Sequence, residues 1–514
     1  MNQNYVISDR NPALFTLAEL PVIDYVQFFH EIGVLLKNES NHVVSYFCLP
    51  EEKAKHRYFC FVADDLNHQL KAFSFIQPSG AVLESLTPVH NALHIFEREI
   101  HENYGTQFSG HPWLKPVRWP HNRADKNSCM DNYPFFRIDS EELHEVGVGP
   151  VHAGVIEPGH FRFICNGEKV HHLEIHLGYQ HRGVEELMVN KKSLLQKAVL
   201  SENIAGDTAV GHSLCHAQLI EKLGNFTPSE NMQLERALAL ELERIAVHLG
   251  DTAALCGDVA YQLGQVVCES LRTIVINTTQ FWCGNRFGKG FIRAGGSHYP
   301  MTEKTAAEIL KNISIVEKRF SEMASHLYSM PGALSRFDEI GTVTKEQGLR
   351  AGLTGMAARM CGIPRDIRTS HPFQAYSDVD YKPVTFESGD VLARALMRRG
   401  EIMKSVEIVK MLVEKNLARI NNPGREQEAE ITPAPYYKMA LAADSICISM
   451  TEGWRGEIVH VAVTDQQGEI IRYKITDPSL HNWTGLALAV RNQEISDFPV
   501  CNKSFNLSYC GYDL

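Results

Sequence analysis

Two groups of residues in this chain have the types and spacing to do chemistry, and a third is informative for the chemistry it withholds. In the stretch VHHLEIHL, starting at Val170, residues His172, Glu174 and His176 recur at every second position and so share one strand face. Imidazole and carboxylate donors set out that way are enough to hold zinc. The chain has 24 histidines, however, and exposed strand faces often carry them, so the expectation here is no bound metal. A few residues on, the chain breaks at Gly183 into a charged turn, His181-Arg182-Gly183-Val184-Glu185, that offers an imidazole, a guanidinium and a carboxylate together. The 12 cysteines are scattered with no CxxC pair. That pattern fits reduced, mostly buried thiols in a cytosolic chain and withholds the four convergent thiolates of an iron–sulfur cluster.

The elements that must position these groups read in outline. Apolar residues alternate with polar ones through Val170, Leu173, Ile175 and Leu177, as in a half-buried strand. After the turn, SENIAGDTAVGHSLCHAQLIE predicts a helix with Val210, Leu214, Ala217 and Ile220 on one face and Gly224 as its stop. Upstream, HVVSYFCLP, HRYFCFVAD and KAFSFIQP read as strands. A helix carrying Ala92, Ile95, Phe96 and Ile100 follows, opened by Pro88 and ended at Gly105.

Thr227-Pro228-Ser229-Glu230 reads as a capping box with Pro228 at the first helical position, leading a helix to about Leu249. Two more long helices are expected. One runs over 303–327 with the seam Ile309, Ile313, Val316, Phe320, Met323 and Leu327. The other covers about 391–420 with Ile402, Val406, Val409 and Val413, and ends between Asn421 and Gly424. GEIVHVAVTDQQGEIIRYKITDP reads as a hairpin turning at Asp465 to Gly468. The fold class is therefore an α+β N-terminal domain followed by a mainly α helical bundle with small β-sheets. Its parts are 1–125, an acidic linker over 126–148, and 149–514.

Composition narrows the function classes. At 514 residues the chain is long enough for more than one core, and 44% hydrophobic with 22% charged residues describes an ordinary globular protein. A net charge of −11 without a basic cluster argues against a nucleic-acid surface. The longest apolar run, Met439 to Met450, is interrupted by Asp444, so no transmembrane segment is expected, and the N-terminus reads without a signal peptide.

Taken in order, the motifs resemble a known superfamily. Glu97-Arg98-Glu99, Tyr104-Gly105, Phe108 and Gly110-His111-Pro112 resemble the 30-kDa-type subunit of respiratory complex I. Gly149-Pro150-Val151-His152, the Glu157–Phe163 segment, the HRGxE turn and His212 resemble the large subunit of group 4 [NiFe]-hydrogenases and its complex I relative, closest to the formate-hydrogenlyase branch. The hydrogenase nickel ligands match Ala205, Thr208, Ser508 and Gly511 here, with Cys510 out of register, and a methyl or hydroxyl cannot replace a thiolate at a soft metal site. The resemblance therefore implies a pocket kept without its nickel.

It also implies His181, Arg182, Glu185 and Arg368 as pocket residues, with Glu185 matching a proton-carrying glutamate and Arg368 an arginine hung over the metal. An Arg and a Glu in a dry pocket would pair, and one would titrate near neutrality. Quinone is a possible ligand, yet the family's quinone-donor positions fall at Ile156 and Leu194, leaving His152, Tyr179 and His212 as weaker candidates. The chain itself is expected to bind no cofactor. The implied setting is cytoplasmic, peripheral on the inner face of the cell membrane. The implied partners are a small iron–sulfur subunit, with its cluster facing the HRG turn, and antiporter-like membrane subunits. Two functions stay open: an oxidoreductase subunit of an ion-translocating complex, or a scaffold without redox chemistry of its own.

Overall fold

The computed structural model describes residues 4–52, 54–152, 156–421 and 434–514. The three aromatic-rich stretches form the long antiparallel strands Asn41–Glu51, Lys55–Asp64 and Gln69–Pro78, with Val6–Ser8 and Val22–Ile23 beside the last. Tyr58 to Asp64 and Asn41 to Cys48 are buried without alternation. Both faces of this sheet are covered, which removes the polar-out period of an exposed sheet. The helix Tyr25–Leu35 packs Phe28 against Phe75 at a ring separation of 4.6 Å. The helix His94–Tyr104 and the strand Ile470–Thr476 pack against Asn41–Glu51.

The four long helices, Glu230–Asp258, Gln262–Cys283, Glu303–Leu327 and Val391–Asn421, form the bundle. The seam read on 303–327 is buried throughout, and Ile402, Val406, Val409 and Val413 are fully enclosed. The expected stop of the last helix at 422–424 lies outside the described residues. The first of these helices is capped by Ser229, whose hydroxyl accepts from Met232 N at 3.3 Å. The cap is Ser229 and not Thr227, because Pro228 precedes the helix instead of opening it.

Two features depart from the sequence reading. The strand Ala13–Thr16 pairs with Ser445–Glu452, 429 residues later, as the fourth strand of the sheet that also holds Glu457–Thr464 and Ile470–Thr476. The helix Ala209–Leu223 lies between this sheet and the Glu230–Asp258 helix and is buried on all sides except at Lys222. Its polar residues His212, His216, Gln218 and Glu221 are therefore interior groups that need partners. In the acidic segment after 126, Tyr133 stacks on His176 at 4.2 Å, and His144–Val148 adds a strand to His160–Asn166.

A buried ion cluster joins the two sheets. His42 Nε2 lies 2.8 Å from Glu457 Oε2 and its Nδ1 3.4 Å from Asp65 Oδ2. Burial and Arg365 push this imidazole down, but Glu457 and Asp65 outweigh them and hold its pKa at about 9. A raised folded-state pKa stabilises fully below the unfolded value of 6.5 and loses that contribution as pH climbs to about 9, here worth about 3 kcal/mol. The wild-type melting temperature should fall between pH 6.5 and 9. His42→Gln should melt lower with that fall flattened; parallel curves for the two proteins would sink the assignment.

Candidate functional site

The charged helix end around Glu97 is not a solvated face; each side chain is buried and has a task. Glu97 accepts from Ser85 Oγ, Thr87 Oγ1 and Leu86 N. Glu102 accepts from the N–H groups of Val117, Arg118 and Trp119. Glu99 takes Arg118 Nη1 at 2.9 Å and Lys474 Nζ at 2.5 and 2.7 Å. Lys474 also reaches Glu185 Oε1 at 3.0 Å, so one ammonium joins the N-terminal helix to the helix that begins at the HRG turn.

Glu185 completes its shell with Arg472 at 3.2 Å and Ile475 N at 2.9 Å. Burial pushes its pKa up, but Lys474, Arg472 and Arg118 outweigh that and hold it at about 2. The expectation of a neutral-range titration at Glu185 is thereby corrected: the carboxylate faces three cations. With His181 it borders a narrow cavity of about 90 Å³.

Arg368 does not pair with Glu185 and does not hang over the tail. Its guanidinium lies inside the bundle, 2.7 Å from Asp366 Oδ2, 3.2 Å from Glu241 Oε1 and stacked on Tyr381. The helix Ile367–Ser370 is capped by Asp366, which aims Arg368 back at its own cap. The same cluster contains Arg359, which pairs with Asp366, Glu401 and Glu452, and His248, 2.8 Å from Glu401.

Arg182 acts as a tie. Its guanidinium donates to the carbonyls of Asn203 at 2.6 Å, Ile204 at 2.9 Å and Cys510 at 3.0 Å. The N–H groups of Arg182 and Gly183 reach Leu514 O at 2.9 and 3.0 Å, and His181 Nδ1 lies 2.7 Å from Asp513 O. The turn thus grips the 510–514 segment and sets it beside the loop that leads into the Ala209–Leu223 helix.

Between that loop and the tail lies a cavity of about 890 Å³. Gly206 and Asp207 line one wall and Asn506, Ser508 and Cys510 another; His152, Ile156, Phe161 and Phe498 contribute a third side, and the charged Glu157, Asp258 and Lys503 also border the space. Arg455 spans the walls. It donates to Asp207 Oδ1 at 2.8 Å and Oδ2 at 2.6 Å, to Thr208 Oγ1 at 3.2 Å and to Asn506 O at 2.6 Å. The hairpin bearing Arg455 comes close enough because Gly355 and Gly456 touch: a Cβ on Gly355 would lie 2.1 Å from Gly456 Cα. Sequence reading missed Arg455 by starting the hairpin at Gly456; the signal was an arginine set between two glycines in GWRG.

The four positions matched to nickel ligands fall on these walls or just behind them. Ala205 is fully buried, Thr208 is bonded to Arg455, and Ser508 Oγ accepts from Gly511 N at 2.9 Å as a helix cap. A Cβ at Gly511 would lie 2.6 Å from Asp477 Oδ2. Cys510 carries the one thiol among the described cavity residues, and burial pushes its pKa up to about 11, keeping it protonated. His152 lines the cavity, with Nε2 2.9 Å from Gly159 O. His212 sits behind it, 3.0 Å from Asp477. Leu194 does not line the cavity. Tyr179 instead reaches His176 Nδ1 at 3.2 Å. In the His172–His176 stretch, Glu174 is taken by Lys115 at 2.6 Å, Tyr133 and Phe136 N, which leaves it no role as a ligand.

The model of the respiratory-chain NADH dehydrogenase 30 Kd subunit matches residues 26–127, and that of the 49 Kd subunit matches 258–513. The chain belongs to the complex I and group 4 hydrogenase large-subunit family. It is a fused 30-kDa- and 49-kDa-type member, and its architecture is the α+β unit followed by a helical bundle with small sheets. Hydrogenase-4 component G of Escherichia coli is 23% identical over 511 residues, covering 95% of this chain and 85% of that one. NADH-quinone oxidoreductase subunit 4 of Thermus thermophilus is 25% identical over 377 residues, covering 69% of this chain and 90% of its own. Among solved structures, a chain of the membrane-bound sulfane sulfur reductase, an archaeal respiratory membrane complex, has the same fold. Its TM-score is 0.65 at 19% identity, over 74% of this chain and all of that one. Within this family the chain is a complex-I-like, hydrogenase-related oxidoreductase subunit. Among the described residues, no helix is long and apolar enough to cross a membrane.

Proposed function

We propose that this chain is the large subunit of a membrane-associated, ion-translocating oxidoreductase complex, and that its cavity takes an electron acceptor in place of nickel. The parts 1–125, 126–148 and 149–514 are its units. It docks on the cytoplasmic face of the membrane beside a small iron–sulfur subunit, whose cluster the HRG turn faces, and above antiporter-like membrane subunits. The observation that carries this reading is the cavity between the 206–207 loop and the tail, spanned by Arg455.

The donor set does not fit nickel. Two of the four matched positions, Ala205 and Gly511, offer no side-chain donor, and the other two offer hydroxyls. The space that a thiol-bearing side chain in place of Gly511 would need is filled by the Asp477 carboxylate. An apolar wall of Ile156, Phe161 and Phe498 with a few convergent polar groups suits a quinone or another small organic acceptor, and the volume is that of an ordinary ligand site. On this reading His152 meets its oxygens, and Arg455, engaged by Asp207, Thr208 and Asn506, holds the walls that shape the space. An open cavity favours this over the scaffold reading, which calls for a pocket packed with side chains.

The test is recovery of the full-length tagged chain from detergent-solubilised membranes. Iron and membrane subunits should copurify, with nickel far below one atom per chain. Stoichiometric nickel, or a chain recovered without an iron-containing partner, overturns the reading.

A further inference from the structure

Behind the cavity a line of five buried side chains is hydrogen-bonded end to end. Asp477 Oδ2 lies 3.0 Å from His212 Nε2, and His212 Nδ1 lies 3.1 Å from His460 Nε2. His460 Nδ1 lies 2.8 Å from the Tyr473 hydroxyl, and that hydroxyl lies 2.8 Å from His216 Nδ1. All five residues are at most 2% exposed.

The line follows from how a helix meets a sheet. His212 and His216 are one turn apart on the Ala209–Leu223 helix and so face the same way. That face lies on Glu457–Thr464 and reaches its neighbour Ile470–Thr476 through Tyr473, which pairs with Ala462, two residues beyond His460. Asp477 directly follows the second strand.

We infer that Asp477, His212, His460, Tyr473 and His216 form a proton relay that ends at the tail wall of the cavity. A carboxylate only accepts, and a neutral imidazole has one donor and one acceptor nitrogen. With Asp477 ionised and the rings neutral, one arrangement satisfies all four bonds. His212 then carries its proton on Nε2, His460 on Nε2, Tyr473 donates to His460 Nδ1, and His216 carries its proton on Nδ1. Burial and the cationic neighbours Lys197 and Arg293 hold His216 down at about 3. Burial, with His212 and His216, keeps His460 well below the usual range. Burial pushes Asp477 up, but His212 and Arg455 outweigh it and hold it low.

A proton accepted at His216 Nε2 releases the Nδ1 proton to Tyr473. The Tyr473 proton passes to His460 Nδ1, the His460 Nε2 proton to His212 Nδ1, and the His212 Nε2 proton to Asp477. One proton enters, one arrives, every ring ends neutral, and the carboxylate becomes a carboxylic acid. Asp477 then stands against Gly511 and near Arg455, at the back of the tail wall. What the relay serves rests on the cavity reading above; its existence does not, and the experiment addresses existence alone.

The full chain, labelled with ¹⁵N-histidine, reads both tautomers and ring N–H exchange with deuterated solvent. His212 and His460 should be Nε2–H tautomers and His216 the rarer Nδ1–H form. Tyr473→Phe should slow exchange at His212 and His460 markedly while His216 keeps its own rate. If Tyr473→Phe fails to fold, His216→Gln retains a donor to Tyr473 but cannot pass a proton, and should slow the same two signals. Unchanged exchange in the folded variant, or any other tautomer set, overturns the relay. A purely structural network would lose stability without moving exchange in this ordered way.

Discussion

Glu401→Ala is expected to be the most damaging single change in the bundle. Glu401 pairs with Arg359 and, at 2.8 Å, with His248, while Arg244 and Arg368 lie 3.6 and 3.5 Å away. Burial opposes its charge, yet Arg359, His248 and Arg244 hold its carboxyl well below the usual carboxylate range. Removing one member of a buried pair costs about 3–5 kcal/mol because the other charge is left without its counter-ion. Here three buried arginines lose a partner at once. Against a total stability of roughly 5–15 kcal/mol that is a large share. The melting temperature should drop by about 3–5 °C. Glu401→Gln, which keeps hydrogen-bonding atoms but not the charge, should fall in between. A drop under about 1 °C for the alanine variant would mean that solvent reaches the cluster and pairs the arginines instead.

Arg455→Met comes next, and its effect should be local. The methionine fills the space but removes the donors that join Asp207, Thr208 and Asn506. Hydrogen bonds to a charged group contribute about 1.5–3 kcal/mol each. A local loss of about 3 kcal/mol corresponds to roughly hundredfold faster amide exchange. That acceleration should appear in peptides spanning 506–510 and in the 205–208 loop, with the bundle helices unchanged. Arg455→Lys should not restore protection, since a single ammonium cannot match a bidentate contact while also reaching the Asn506 carbonyl. Unaltered exchange in the tail would show that Arg182 and the Leu514 contacts hold it alone.

Much of the scaffold was legible in the sequence because its signals are local. The 303–327 seam, the three aromatic strands and the HRG turn are each specified by neighbours within a few residues. The site was less legible because its partners are distant in the chain. Asp366 beside Arg368 fits either orientation; what sets the guanidinium in the bundle is Glu241, 127 residues earlier. Glu185 was singled out, but Lys474, some 289 residues away, sets its charge. The Ala209–Leu223 helix looked one-faced since Val210, Leu214, Ala217 and Ile220 satisfy the period, while the burial of His212 and His216 depends on strands that come after residue 445.

The strand Ala13–Thr16 sets a timetable for biosynthesis. Its mate, Ser445–Glu452, emerges 429 residues later, which at the usual 5–20 residues per second is a wait of roughly 20 to 90 s. Throughout that interval the earlier segment is an unmated β-edge, and the pair can close only once the later strand has emerged.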